Sequence, residues 1–260
     1  MSLSINRNLG LSALALSLGS AMSLWQKQAE KLSSGLKINR AKDGPAALVI
    51  SEQLRSQIGS LEQEIENTRN LITKYETADS TLQEARRQLN EIRSLAVAAS
   101  NEGFYDDDAL AALDSSAQYL QESYNRTIDT ADFNNRNLFD GHEGSVAEVA
   151  ALEGVDLSSA EAAQQTIATI DERLAELDSV QAEIGAKVKN ELQSTHNSLQ
   201  VTRENLVAAE SQLRDADMAI ELSKSIQFMI QARFASSIMA HSTSNSGTVL
   251  SLLNAMGPSR

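Results

Sequence analysis

The chain of 260 residues has no cysteine. Disulfide frameworks, zinc–thiolate sites and cysteine nucleophiles are therefore excluded. The absence does not fix a compartment, but it suits a chain that must travel unfolded without cross-linking. Proline stands only at 45 and 258, so the positions between them lack the strongest helix breaker. Aromatic residues make up 4% against 42% hydrophobic residues overall, so a core must be aliphatic and thin. Basic residues are outnumbered, 22 against 35 acidic ones, for a net charge of -13. That sign argues against nucleic acid and anionic membrane surfaces as partners. The longest apolar stretch, "LGLSALALSLGSA" after Arg7, is too short and too serine-rich to cross a bilayer.

What is present is a helical period. Leu54, Leu61, Thr68, Tyr75, Leu82, Leu89 and Ala96 recur every seven residues. Ile58, Ile65 and Ile72 follow four residues behind in the first half; Ala78, Ala85, Ile92 and Ala99 follow three behind in the second. This is a coiled-coil stripe whose face drifts once near Tyr75. Asp43 is the expected N-cap, Pro45 lies in the first turn, and Asn101-Glu102-Gly103 supplies the stop. A helix over 45–100 would be about 84 Å long. A compact chain of this size would be only about 45–50 Å across, so a rod is expected.

A second helix is expected at about 107–129, led by Asp106, Asp107 and Asp108, which suit its dipole. A third is expected at about 160–213, capped by Ser158 or Ser159, with Ile170, Leu174, Leu177, Ile184, Val188, Leu192, Leu199, Leu206 and Leu213 as its stripe. The three helices can bury one another as a hairpin-like bundle over 45–219, with Leu54, Leu61, Leu82, Leu89, Leu199 and Leu206 among its core. Between them, 133–156 reads as a short β-hairpin or loop. The fold class is mainly α.

Both ends carry further stripes. The N-terminal stretch could be a secretory signal peptide. Leu11, Leu18, Trp25 and Leu32, however, recur by sevens straight through the supposed cleavage region, with Leu14 and Ala21 between. The C-terminal end answers with Ile226, Ile230, Phe234 and Ile238, then "TVLSLL" with Leu250 and Leu253. Residues 1–32 and 220–260 are thus expected as amphipathic helices that pair with each other and then with copies of themselves, because surplus apolar stripes signal assembly.

No catalytic constellation is visible. His142, His196 and His241 lie far apart, and HExxH is absent. "DDDALAALD" (106–114) lacks the glycine and terminal glutamate of a calcium loop. No metal or cofactor is expected, nor an enzyme. Asn125-Arg126-Thr127 is a formal glycosylation sequon on a helix.

"LSSGLKINRAKDGPAALVISEQLRSQI" (32–58) resembles the N-terminal signature of the bacterial flagellin family, LSSGxRINSAxDDAAGLAIS. The likeness continues through "LQEARRQLNEIRSLAVAASN" (82–101) and "DFNNRNLFDG" (132–141). "TIATIDERLAELDSVQAEIGA" (166–186), "SLQVTRENLVAAESQLRDADMA" (198–219) and "GTVLSLL" resemble the family's C-terminal half. The resemblance implies a filament subunit for motility, exported through the flagellar type III channel without a cleaved signal peptide and placed outside the cell. It implies a homo-oligomeric helical filament, with an export chaperone and cap and junction proteins as further partners. The terminal helices would form the inner tube, with 33–44 as the spoke, its turn held by Lys37, Asn39, Lys42 and Asp43. Only about 20 residues (141–160) stand where longer flagellins carry β-rich outer domains, too few for a domain, so the filament surface should be plain.

The chain departs from the family at Asp43-Gly44-Pro45-Ala46, at the missing proline before the terminal apolar segment, at the extension "NAMGPSR" and at the bulky Trp25. The resemblance also implies a recognition position for the toll-like flagellin receptor in "LNEIRSLAVA" (89–98). Arg93 and Leu95 match the immunostimulatory pattern LQRVRELAVQ, but Glu91 stands where that pattern has its first arginine. A hook–filament junction protein of the same fold, or a soluble coiled-coil binding module, are the alternatives.

Overall fold

The computed structural model describes residues 9–101 and 105–255. In chain order these are α1 (Leu9–Ser34), a short 3₁₀ turn (Ala41–Asp43), α2 (Pro45–Ala99), α3 (Asp107–Asp129), β1 (Asp132–Phe133), β2 (Arg136–Asn137), α4 (Ala160–Ala186), a π-helical turn (Lys187–Leu192), α5 (Gln193–Arg214) and α6 (Met218–Ala255). The helical class is as expected. Contacts divide the chain into two compact units, Ser60–Arg203 and Met1–Gly59 with Glu204–Arg260. The division falls inside α2 and α5.

The Ser60–Arg203 unit holds the sealed core. Along α2, Ala78, Leu82, Ala85, Leu89, Ile92, Ala96 and Ala99 are buried, and Tyr124 and Ile128 of α3 and Ile170, Leu177 and Ile184 of α4 join them. Rows of one residue every seven or every three to four are what a three-helix seam requires. Arg86 pairs with Asp178 at 2.8 Å, and Arg93 with Asp171 at 2.6 Å. Both pairs step seven residues along α2 and back along α4, so the two helices run antiparallel. Further along α2, where α3 no longer covers it, Leu61 is only half-buried, as is Leu199 of α5, and Glu62 pairs with Arg203 at 2.8 Å.

Two local expectations need correction. Asp43 does not cap α2; its carboxylate accepts from the Arg40 amide at 3.0 Å and closes the 3₁₀ turn, leaving Gly44 ahead of Pro45. The short β-hairpin or loop expected in this region is present, with strands of two residues each, Asp132 opposite Asn137 and Phe133 opposite Arg136. Asn134 and Asn135, both with positive φ (55° and 62°), make the two-residue turn that such a hairpin needs. The rest of the 133–156 segment is irregular and held by its backbone to α3, so no longer ladder forms.

The second correction concerns the continuity of the third helix, expected unbroken over about 160–213. Ala163, Ile170, Leu177 and Ile184 step by seven, but the next buried residue is Leu192, eight residues on. A straight α-helix would turn Glu191 inward instead. The π-helical turn absorbs the extra residue: the Gln193 amide donates to the Val188 carbonyl, five residues back. Beside it, Lys187 Nζ lies 5.9 Å from the centre of the Tyr75 ring, where the α2 stripe changes its companions.

Other caps follow the expectation. Asp106 accepts from the Ala109 amide and Ser159 from the Ala162 amide. Glu102 and Gly103 of the expected α2 stop lie outside the described residues.

Candidate assembly face on the terminal helices

The end of α1 is fixed by Gly35, whose positive φ (72°) lets its amide turn back to the Lys31 carbonyl at 2.8 Å. The chain then pairs with the segment ahead of α6. Lys37 donates its amide to Arg214 O at 2.7 Å, and Ala216 donates to Gly35 O at 2.9 Å. The end of α1 thus meets the start of α6, and the two helices pack against each other antiparallel.

Of the hinge residues singled out by sequence, Asn39 donates to Ser34 Oγ at 2.8 Å and Asp43 accepts from Arg40. Lys37 contributes through its backbone, and Lys42 is exposed. Sequence reasoning missed Arg40, whose guanidinium meets Glu30 at 2.7 Å, and Arg214, which meets Glu52 at 3.0 Å. Gly44 fits its place by size: a Cβ there would stand 3.3 Å from Ile38 Cδ1, and Ile38 is buried.

On α1 the shielded positions are Leu14, Leu18, Ala21, Trp25, Gln28 and Leu32, alternating by four and three. On α6 they are Glu221, Ser225, Phe228, Ala232, Ala235 and Met239, with the same alternation. These are two matching seams. The Ile226, Ile230, Phe234 and Ile238 stripe is not in that seam. It faces solvent, Ile230 at 61% and Phe234 at 68% exposure, and Leu222 extends it one turn earlier. Leu222 was missed, although the same period carried one turn back would have found it. On α1, Leu16, Met22 and Leu24 are exposed too. The side chains of Leu11, Leu250 and Leu253, and residues 256–260 of the extension, lie outside the described set.

α6 is therefore apolar on two sides, Phe228, Ala232, Ala235 and Met239 toward α1 and the row from Leu222 to Ile238 toward solvent. A helix apolar on both sides belongs in a buried setting. One copy of the chain covers only one of those sides.

The remaining predicted positions lie elsewhere. Leu82 and Leu89 are sealed, while Leu54, Leu61, Leu199 and Leu206 are half-buried. Glu91 is exposed and pairs with Arg87 at 3.1 Å; Arg93 forks onto both oxygens of Asp171; Leu95 packs against the core. That fork holds the Asp171 carboxyl below the ordinary aspartate value and raises Arg93. Burial pushes the Tyr124 phenol up to about 12. Asn125 of the sequon is not free: its amide donates to Leu152 O at 3.0 Å, and its oxygen accepts from Leu152 N at 2.8 Å.

Among the described residues no group of three histidine, aspartate or glutamate side chains could hold a metal ion, and no helix is long and apolar enough to cross a membrane.

Residues 5–144 match the family model of the bacterial flagellin N-terminal helical region, and residues 167–253 match that of the C-terminal helical region. The chain belongs to the bacterial flagellin family. Only residues 145–166 lie between the two matches, so this is a short flagellin. It is 35% identical to the flagellin of Halalkalibacterium halodurans, with 96% of this chain and 99% of that protein covered. It is 30% identical to the flagellin of Bacillus subtilis, again over 96% and 99%. It is 31% identical to the flagellar filament 31.3 kDa core protein of Treponema maltophilum, over 87% of this chain and 91% of that one.

Proposed function

We propose that this flagellin is a structural subunit that polymerises into the flagellar filament through the outward apolar face of its terminal helices. The observation that carries the reading is the exposed row Leu222, Ile226, Ile230, Phe234 and Ile238 beside a seam already closed by α1. Each such side chain gains about 1.5–3 kcal/mol when fully withdrawn from water. A row of them on a chain whose other large apolar groups are mostly shielded is an adhesive surface. Copies that meet through unlike surfaces build an open helical filament wherever the rotation between them does not close into a ring.

The inner tube is assigned to Leu11, Leu18, Trp25, Leu32, Ile226, Ile230, Phe234, Ile238, Leu250 and Leu253. Within it, the α1 members serve the seam and the α6 members meet neighbouring copies. Residues 33–44 are the spoke. The filament lies outside the cell, and the subunit reaches it through the flagellar type III channel with a chaperone, cap and junction proteins as partners. The stretch that reads like a signal peptide lies within α1, whose seam with α6 needs it, so we assign it to the mature subunit.

Electron microscopy of seeded, purified protein tests the reading. The full chain should give long helical filaments. Removing residues 241–260 should leave a helical monomer that does not polymerise. Normal filaments from the truncated chain would refute the role given to α6.

A further inference from the structure

The chain has six methionines, at 1, 22, 218, 229, 239 and 256, and no cysteine. None lies between 60 and 203, so all of its sulfur belongs to the two terminal segments. Two of the described methionines share one groove of about 370 Å³ between α1 and α6, together with Leu18, Trp25 and Ala232. Met22 is 53% exposed, and Met229 is half-buried. Arg233 and Ser236 border the same groove on the α6 side.

We infer that Met22, with Met229 beside it, is a reversible oxidation site through which peroxide blocks subunit assembly; the inference rests on the assembly reading above. The thioether sulfur attacks one oxygen of hydrogen peroxide. The O–O bond breaks, an S–O bond forms, the sulfur loses two electrons, and the other peroxide oxygen leaves as water with the proton of the transferred hydroxyl. The product replaces a flexible apolar group by a polar, chiral one with a strong acceptor oxygen. In the free subunit that oxygen is solvated. In a packed copy it must be stripped of water on an apolar surface, which disfavours assembly. The Ser60–Arg203 unit has no sulfur to oxidise, so its core is untouched. Sulfoxide reductases restore the thioether.

The test uses full-length subunit oxidised by hydrogen peroxide to about half conversion at Met22, then seeded with unoxidised filaments. Polymer and supernatant are separated, and sulfoxide at each methionine is read by peptide mass spectrometry. Met22 sulfoxide should be depleted in the polymer by about tenfold relative to the supernatant, and reductase treatment should return the excluded subunits to the polymer. A parallel arm oxidises intact filaments, in which Met22 should react about tenfold more slowly than in the free subunit. A Met22→Leu, Met229→Leu protein, compared with its own untreated sample, should lose the sensitivity to peroxide. Equal sulfoxide in polymer and supernatant, with Met22 protected in filaments, would overturn this inference and leave the assembly reading standing. Equal oxidation rates in filament and free subunit would show that the groove stays open between copies and would overturn this inference.

Discussion

The core of the Ser60–Arg203 unit and the terminal helix pair use the same seven-residue grammar to opposite ends. In the first, Leu82, Leu89, Ile170 and Leu177 are fully buried within one chain. In the second, the shielded seam mixes Leu14, Leu18, Trp25, Leu32, Phe228 and Met239, all only half-buried, with alanine, serine, glutamine and glutamate, and Ile230 and Phe234 remain outside. A stripe that satisfies itself makes a stable unit. A stripe placed on the far side of a completed seam makes a surface for another copy. The period is the same; the number of apolar sides on the helix separates the two outcomes.

The sharpest way to break this comparison is to truncate one residue of each kind. Leu89→Ala removes a sealed side chain and should cost the monomer about 2–5 kcal/mol. Phe234→Ala removes an exposed one and should change monomer stability by no more than about 0.5 kcal/mol, while weakening polymerisation strongly. Thermal melts of both monomers, with sedimentation of seeded samples, read the two effects. Equal melting losses would mean that Phe234 is packed within the single chain. Glu91→Ala, on the same helix as Leu89 but outside the stripe, should match Phe234→Ala in the melt.

Asn125 probes how the irregular segment is held. Its paired bonds to the Leu152 backbone hold that segment on α3. Asn125→Ala leaves the buried Leu152 amide without its partner, while the carbonyl keeps the Gln121 amide at 2.9 Å, and should cost about 1–3 kcal/mol. Hydrogen exchange at Leu152 should accelerate; an unchanged amide would show that the segment is held by other contacts.

The Arg93–Asp171 pair gives a smaller and pH-dependent effect. The folded Asp171 titrates below its ordinary value of 3.8 because of Arg93. Its contribution is therefore complete above that ordinary value and is lost as the pH falls through the lower, folded one. Both groups are solvent-accessible, so added salt should screen the effect. Acid melts of Asp171→Asn beside the parent should converge at the lowest pH. A gap that widens as the pH falls would reverse the sign assigned to this pair.

The smallest expected effect on the molecule itself is at Glu91, on the surface near the sealed core. We propose that its carboxylate, where the immunostimulatory pattern has arginine, keeps activation of the toll-like flagellin receptor weak. A reporter assay should find little signal from the monomer and a gain from Glu91→Arg. Strong signalling by the unchanged protein would remove this position from the recognition argument.

Much of the helical layout was written locally. Pro45, the Asp106 and Ser159 caps and the seven-residue stripes are short-range signals, and the observed helices begin where those signals stand. Leu82 and Leu89 were readable as core because only one side of their helix is apolar. Leu54 and Leu206 obey the same period, yet they stay half-buried, because no third helix reaches them and periodicity does not count neighbours. Nor could the period choose the side of α6 that meets α1. Both of its sides are apolar, and the side that meets α1 carries Phe228, Ala232, Ala235 and Met239. The eight-residue step from Ile184 to Leu192 was visible, but a slipped face and a π-helical turn explain it equally well until the partner helix is in place. Asn125 and Gly44 owe their roles to Leu152 and Ile38, contacts that exist only after folding. The sequence by itself determined where the chain is helical and where it carries apolar rows, since both follow from neighbours within two turns. The tertiary structure alone decided which rows are consumed inside one chain and which are left for another, because burial depends on what arrives from far along the sequence.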